Sequence, residues 1–455
     1  MFDTRDLAST ELENQPPDEY TYRDANLSLW QSAANYAVTN MAPALIEAKD
    51  RTPRGIARIL MAPVHAVNRA VSEIKKGGHQ VASAVAPDFS ALATVGDCAK
   101  LAAELLWAEI KGDDNAVSIL ENQLKYSVCD VPGWAECVTQ YGIYKASMGP
   151  NPYRENMDVV KPLPDQTQIA IVGDWGTGEE TAIDLLQQVK NQNPSILIHL
   201  GDVYYAGTDS EMTHNFLQVC HSILPGIPLY SLCGNHDMYS GGAPYYKLLD
   251  TIGQQSSYFC LRGNDWQIVS VDTGNNDNNP FTVSTNMTTL NRTEIPWALD
   301  KIQNAGGRKT ILLSHHQLFS PFGSVGDVNG TPYCFNPNLY GIFKDVLSAV
   351  SLWLWGHEHT LAVYDQYMGL DKGRCVGCSA IPVFTRQQSY APNTKLHTLT
   401  GNLPAWLATA QLGNDGTDYN HAFAMITLTK ATGKIDYFEV PMTNPRANVI
   451  WSEPI

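Results

Sequence analysis

Five short stretches hold residues that could do chemistry. They are Asp174 in "GDWG", Asp202 and Tyr205 in "GDVYY", Asn235, His236 and Asp237 in "GNHD", His315 and His316 in "SHH", and His357 and His359 in "GHEH". Hard oxygen donors mixed with imidazole nitrogens suit iron, manganese or zinc better than calcium or magnesium, which oxygen alone can hold. No thiolate belongs to the set, which argues against a structural zinc site. The donors outnumber what one ion can use. Two ions about 3.5 to 4 Å apart, sharing a carboxylate, would use them and form a clamp for in-line displacement at phosphorus. Taken singly each stretch is weak, because a buried histidine is usually a packed core residue and "GD" after a strand is common. The weight lies in all five occurring in one chain.

Each stretch closes a short apolar run: "TQIAIVGDWG", "SILIHLGDVYY", "IPLYSLCGNHD", "KTILLSHH" and "VSLWLWGHEHT". Such β-branched runs read as buried strands, and helical patterns such as "EETAIDLLQQVKNQ" and "IPWALDKIQNAG" lie between them. Alternating strand and helix predicts a layered α/β domain over residues 165–455, and in such sheets ligands gather beyond the carboxyl ends of strands. Residues 1–150 read as a mostly helical accessory region with a polar N-terminal arm, and 151–164, rich in proline and polar residues, as a linker. In the helical region Ile56, Ile59, Leu60, Val64, Val67, Val71 and Ile74 recur at spacings of three and four. The opposite face carries Arg54, Arg58, Arg69, Lys75 and Lys76. That basic face could meet a membrane surface or an acidic partner, although the solvated face of a helical bundle is the simpler reading.

A formal net charge of -16 with a pI near 5.1 argues against a nucleic-acid binder. Nine cysteines at irregular spacing read as reduced thiols and not as a disulfide framework, and "CVGC" at Cys375 and Cys378 reads as strand in preference to a redox or zinc pair. The first twenty residues are polar and acidic, unlike a signal peptide, and no run of about 18 apolar residues occurs. The expectation is a soluble, cytoplasmic protein without a transmembrane segment, with non-classical secretion as the alternative. His199 reads as packing, and Trp175, Tyr204 and Tyr239 as core or pocket wall.

In order and content the five motifs resemble those of the calcineurin-like metallophosphoesterase superfamily: an Asp motif, GD, GNH(D/E), a later His and GHxH. Within it the chain most resembles the purple acid phosphatases. Gly176 stands where most members carry a histidine, while "GDVYY" supplies Tyr205 in the phosphatase pattern GDxxY. The resemblance covers roughly residues 165–440. It implies a four-layer α/β/β/α sandwich and a dinuclear centre of Fe(III) with Fe(II), Zn(II) or Mn(II). It also implies a ferric site of Asp174, Tyr205, His359 and bridging Asp202, and a divalent site of Asp202, Asn235, His315 and His357. His316 would lie beside the substrate, with Gln317 in place of the usual proline. His236, oriented by Asp237, would donate a proton to the leaving alcohol or bind a phosphate oxygen. The implied activity is hydrolysis of phosphomonoesters by a metal-bound hydroxide. The alternatives are a phosphodiesterase or nucleotide-processing enzyme of the same superfamily, and a targeting or binding protein on a metallophosphoesterase-like scaffold.

Overall fold

The computed structural model describes residues 151–455, except 281, 284, 285 and the side chain of 386, together with scattered positions between 116 and 145. The helical region expected over 1–150, with its basic face, otherwise lies outside the described residues.

Two sheets face each other. One has seven strands in the order β1-β5-β6-β7-β10-β12-β11: β1 (Val160–Pro162), β5 (Phe259–Arg262), β6 (Trp266–Ser270), β7 (Lys309–Leu313), β10 (Val350–Trp355), β12 (Gly373–Val376) and β11 (Leu361–Val363). The other has six in the order β15-β14-β13-β2-β3-β4: β15 (Asn448–Pro454), β14 (Thr432–Val440), β13 (His421–Thr429), β2 (Gln166–Val172), β3 (Ile196–His199) and β4 (Leu229–Ser231). Strands β8 (Gly326–Val328) and β9 (Thr331–Tyr333) form a separate hairpin.

Side-chain alternation builds the layers. Along β2, Ile169 and Ile171 join the core between the sheets, together with Ile268 of β6, Ile311 of β7 and Leu354 of β10. Ala170 and Val172 point the other way, against α1 (Glu180–Asn191) and α2 (Ala243–Ile252), which bury Leu185, Leu186, Leu248 and Leu249. On the far face of the seven-stranded sheet, Val269, Leu312 and Trp353 pack on Ala298 and Ile302 of α3 (Glu294–Gln303). The result is the four-layer α/β/β/α sandwich expected from the sequence.

The segment expected to be a linker is part of this sandwich. Strand β1 pairs in parallel with β5, and the flanking Val159 and Leu163 are 2% and 4% exposed. Its proline content misled because Pro162 lies in an edge strand, where a missing N–H leaves no central ladder broken. Cys375 lies in β12, and the seven described cysteines are all buried and free. No helix among the described residues is long and apolar enough to cross a membrane.

A buried ion pair ties the sheets together. Arg374 of β12, 3% exposed, donates Nε and Nη2 to Glu453 of β15 at 2.6 and 2.7 Å, and Tyr437 donates its hydroxyl to the same carboxylate at 2.9 Å. Burial would raise the Glu453 carboxyl, but the guanidinium outweighs it and holds it below the usual range. The stabilisation is therefore present above that range and lost as pH falls through the lowered value. Replacing Glu453 with Ala leaves the guanidinium buried and unpaired. Urea unfolding should record a loss of about 3 to 5 kcal/mol.

Candidate metal centre

The motif residues converge beyond the carboxyl ends of β2, β3, β4, β7 and β10. Three of them, Asp174, Asp202 and His357, have φ of 54°, 74° and 64°. Non-glycine residues rarely occupy this left-handed region, at a cost of about 1 to 3 kcal/mol each, and such strain clusters at functional sites. It ends the extended run and leaves the side chains together: Asp174 and Asp202 are 0% and 1% exposed.

Around the Tyr204 hydroxyl, Asp174 Oδ1 lies at 3.0 Å, Asp202 Oδ2 at 3.2 Å and His359 Nε2 at 3.1 Å. His359 Nε2 is also 3.5 Å from Asp174 Oδ1. One phenol proton cannot satisfy two carboxylates at once. These spacings are roughly the edges of a coordination polyhedron with bonds of about 2.1 Å. The second group is contiguous. His315 Nε2 lies 3.3 Å from Asp202 Oδ2 and 3.1 Å from Asn235 Oδ1, and the His357 ring is centred 5.0 Å from that of His315. His315 donates Nδ1–H to the Leu200 carbonyl at 2.9 Å, which leaves Nε2 facing the carboxylate, the usual arrangement for a metal-binding imidazole. Among the described residues, the ion-pair partners of Asp174 and Asp202 are imidazoles alone. The donor set therefore fits cations, and Asp174, Asp202 and His315 place ligand atoms close enough to share one.

Three of the expected residues make contacts that the sequence does not foretell. The tyrosine in the cluster is Tyr204 and not Tyr205. A single parallel bridge pairs Gly176 with Val203, Tyr204 N donates to the Gly176 carbonyl at 2.9 Å, and the chain turns from Tyr204 on. In the turn that follows, the Tyr204 side chain reaches Asp174 and Asp202. The Tyr205 hydroxyl instead donates to Asp130, and its ring stacks on Tyr126 at 4.4 Å. The same pairing accounts for Gly176: a Cβ there would meet Val203 Cα at 2.7 Å.

Asp237 is engaged by main-chain groups. Its carboxylate accepts from the backbone N–H groups of Asp202, Val203 and Gly234 at 3.0, 2.9 and 2.7 Å, joining two ligand loops. Gly234 belongs to this contact, since a Cβ would fall 2.1 Å from Asp202 Oδ1. His236 is set by the Tyr205 carbonyl, 2.5 Å from Nδ1, with the Cys137 thiol 3.7 Å away. His316, expected beside the substrate, has Nδ1 2.9 Å from Thr273 Oγ1 and Nε2 3.0 Å from Asp277 Oδ2. Its ring nevertheless stays beside the cluster, centred 4.2 Å from that of His357 and 4.8 Å from that of His315, with a ligand atom close enough to theirs to share an ion. Nothing local in the sequence marks Asp277 or Thr273 for contact with His316. Tyr204 was legible only through the bridge to Gly176.

Burial would push His315 down, but Asp202, then Asp174 and Asp237, outweigh it and hold the imidazole at about 9. The same pairing holds the Asp202 carboxyl well below the usual range despite its burial. At neutral pH the metal-free cluster thus carries a proton on His315, which an arriving cation must displace. Calorimetric zinc titration at pH 7 in buffers of different ionisation enthalpy should record release of about one proton or more per chain. The affinity should rise with pH up to about 9. Separately, Asp237→Ala should weaken metal binding roughly 10- to 100-fold in chelator competition, although the side chain joins only backbone groups.

Residues 167–361 match the family model of the calcineurin-like phosphoesterases. No curated protein matches the chain. Among solved structures, the purple acid phosphatase PPD1 from yellow lupin (Lupinus luteus) seeds aligns at 14% identity over 68% of this chain and 55% of its own, with a TM-score of 0.41. The match thus spans about half of the lupin enzyme. GAP50, the anchor in the inner membrane complex of Plasmodium, aligns at 14% identity over 64% of this chain and 88% of its own, with a TM-score of 0.38. PhoD aligns at 11% identity over 66% and 69%, with a TM-score of 0.40. Residues 167–361, with the strand-end cluster they carry, are a calcineurin-like phosphoesterase domain.

Proposed function

We propose that this protein is a dinuclear metallophosphatase of the purple acid phosphatase type that hydrolyses phosphomonoesters, with a catalytic domain over 165–455 and an accessory region over 1–150. The observation that carries the reading is the Tyr204 hydroxyl set among Asp174, Asp202 and His359. Asp174, Tyr204, His359 and Asp202 would hold Fe(III). Asp202, Asn235, His315 and His357 would hold Fe(II), Zn(II) or Mn(II). When bound, the two ions would lower the pKa of a water and neutralise phosphate oxygens.

The remaining work falls to side chains. Burial pushes the Tyr204 phenol far above its ordinary value, and Asp174 and Asp202 add to this, so phenolate forms there only beside a cation. Asp202 fixes the backbone of the acid motif by accepting from His236 N at 3.0 Å. His236 lines the cavity over the cluster and donates Nδ1–H to the Tyr205 carbonyl. Its Nε2 is then the nitrogen that meets a phosphate oxygen or the departing alcohol. Burial lowers the His236 pKa, against the pull of Asp202, so its protonated form belongs to acid conditions.

The test is a visible spectrum of the iron-loaded protein beside two variants. Tyr204→Phe should lose the phenolate charge-transfer band while Tyr205→Phe keeps it, and Asp202→Ala should abolish turnover of an aryl monophosphate. A band that survives in Tyr204→Phe and vanishes in Tyr205→Phe would return the ligand to Tyr205. Faster turnover of a bis-aryl phosphate than of the monoester would replace the monoesterase reading with a phosphodiesterase.

A further inference from the structure

Three residues that precede the segment matching the family reach the metal cluster. Tyr126, 4% exposed, stacks on Tyr205 with ring centres 4.4 Å apart and meets Tyr204 edge-on at 6.3 Å. Its hydroxyl donates to the Thr177 carbonyl at 2.9 Å. Asp130 accepts from Tyr126 N at 2.9 Å and from the Tyr205 hydroxyl. Cys137, 2% exposed, donates Sγ–H to the Tyr205 carbonyl at 3.2 Å and lies 3.7 Å from His236 Nδ1. Tyr126 and Cys137 line the cavity above the cluster together with His236.

All three converge on Tyr205. From one side Glu211 holds its turn, accepting from Tyr205 N and Ala206 N. From the other, Tyr126 and Asp130 take the Tyr205 side chain and Cys137 its carbonyl. That same carbonyl lies 2.5 Å from His236 Nδ1. The His236 ring packs against those of Tyr204 and Tyr239, centred 4.6 and 4.8 Å away. Aromatic neighbours limit the tilt of an imidazole but do not tell its two nitrogens apart. A carbonyl does, because it accepts only from N–H and so keeps a proton on Nδ1. We propose that Tyr126, Asp130 and Cys137 are positioning residues for His236: by clamping Tyr205 they aim its carbonyl at Nδ1 and turn Nε2 toward the substrate. The inference rests on the phosphatase reading above and adds to it a part played by residues outside the segment matching the family. When the ester P–O bond breaks, its electron pair stays on the departing oxygen, which takes the Nε2 proton while Nδ1–H remains on the carbonyl.

Two measurements on the full chain test it. The first needs neither metal nor substrate: nitrogen-15 NMR of the histidine-labelled, metal-free protein, with His236 assigned by substitution. The wild type should show the Nδ1–H tautomer, Asp130→Ala a mixture of the two, and Asp130→Asn, which keeps an acceptor oxygen, the wild-type form. The second is kcat of the metal-loaded protein for ethyl phosphate and for 4-nitrophenyl phosphate, whose alcohol is acidic enough to leave with little help from a proton. Asp130→Ala should lower kcat for the ethyl ester roughly tenfold or more and for the nitrophenyl ester much less, with KM little changed. Tyr205→Phe, which removes a single oxygen and keeps the stacked ring, should move both readouts in the same direction, and it carries the test where Asp130→Ala does not fold. An unchanged tautomer in the variants, or equal losses on the two esters, would overturn the positioning role and leave the phosphatase standing. A wild type that turns over neither ester would overturn the phosphatase reading and, with it, this role.

Discussion

Two buried carboxylates whose ion-pair partners among the described residues are imidazoles alone are the constraint on which the rest of this architecture depends. Asp174 and Asp202 come from neighbouring parallel strands, and removing both from water is costly unless positive charge arrives. The protein meets part of the demand with imidazoles, His315 above all, and with the donor ends of backbone segments: His357 N to Asp174 and His236 N to Asp202. What these leave unmet is the binding energy offered to metal ions. The same demand explains the local strain at three ligands, because ordinary extended backbone would carry their side chains past one another.

Support for this cluster is mostly main chain. Asp237 joins the loops after β3 and β4 through three N–H groups, and glycines at 176 and 234 let those loops approach to distances that a Cβ would forbid. Such support is rigid because each contact is short-range and buried. It also divides labour within the motifs, since of the neighbours Asn235, His236 and Asp237 one faces the ligands, one lines the cavity and one holds the backbone.

Much of this could be read from the sequence, for a definite reason. Buried parallel strands are short apolar runs that stop abruptly, so the residue after the stop is at the mouth of a site; Asp174, Asp202, Asn235, His315, His357 and His359 were found that way and do come together. What could not be read depends on pairing partners far off in the chain. Whether Tyr204 or Tyr205 faces the cluster is decided by the bridge of Val203 to Gly176 and the turn after it, and the contacts of His316 by Thr273 and Asp277. Strand β1 was hidden for a related reason, because a three-residue edge strand carrying a proline has no periodicity long enough to detect.

The order of strands has a consequence for how the molecule is made. Strand β2 carries Asp174 at its end, yet one of its two neighbours is β13, with Ile171 opposite Ala424. The first motif is therefore built against a strand that lies well beyond the end of the segment matching the family, and it stays an open edge until that distant strand returns. Pairings of such long range are slow to form and leave unpaired strand edges exposed meanwhile. Folding of this domain should pass through a state in which the helix-covered β2–β3–β4 unit exists before its metal-binding end is secured. In that interval aggregation through the open β2 edge competes with completion of the sheet.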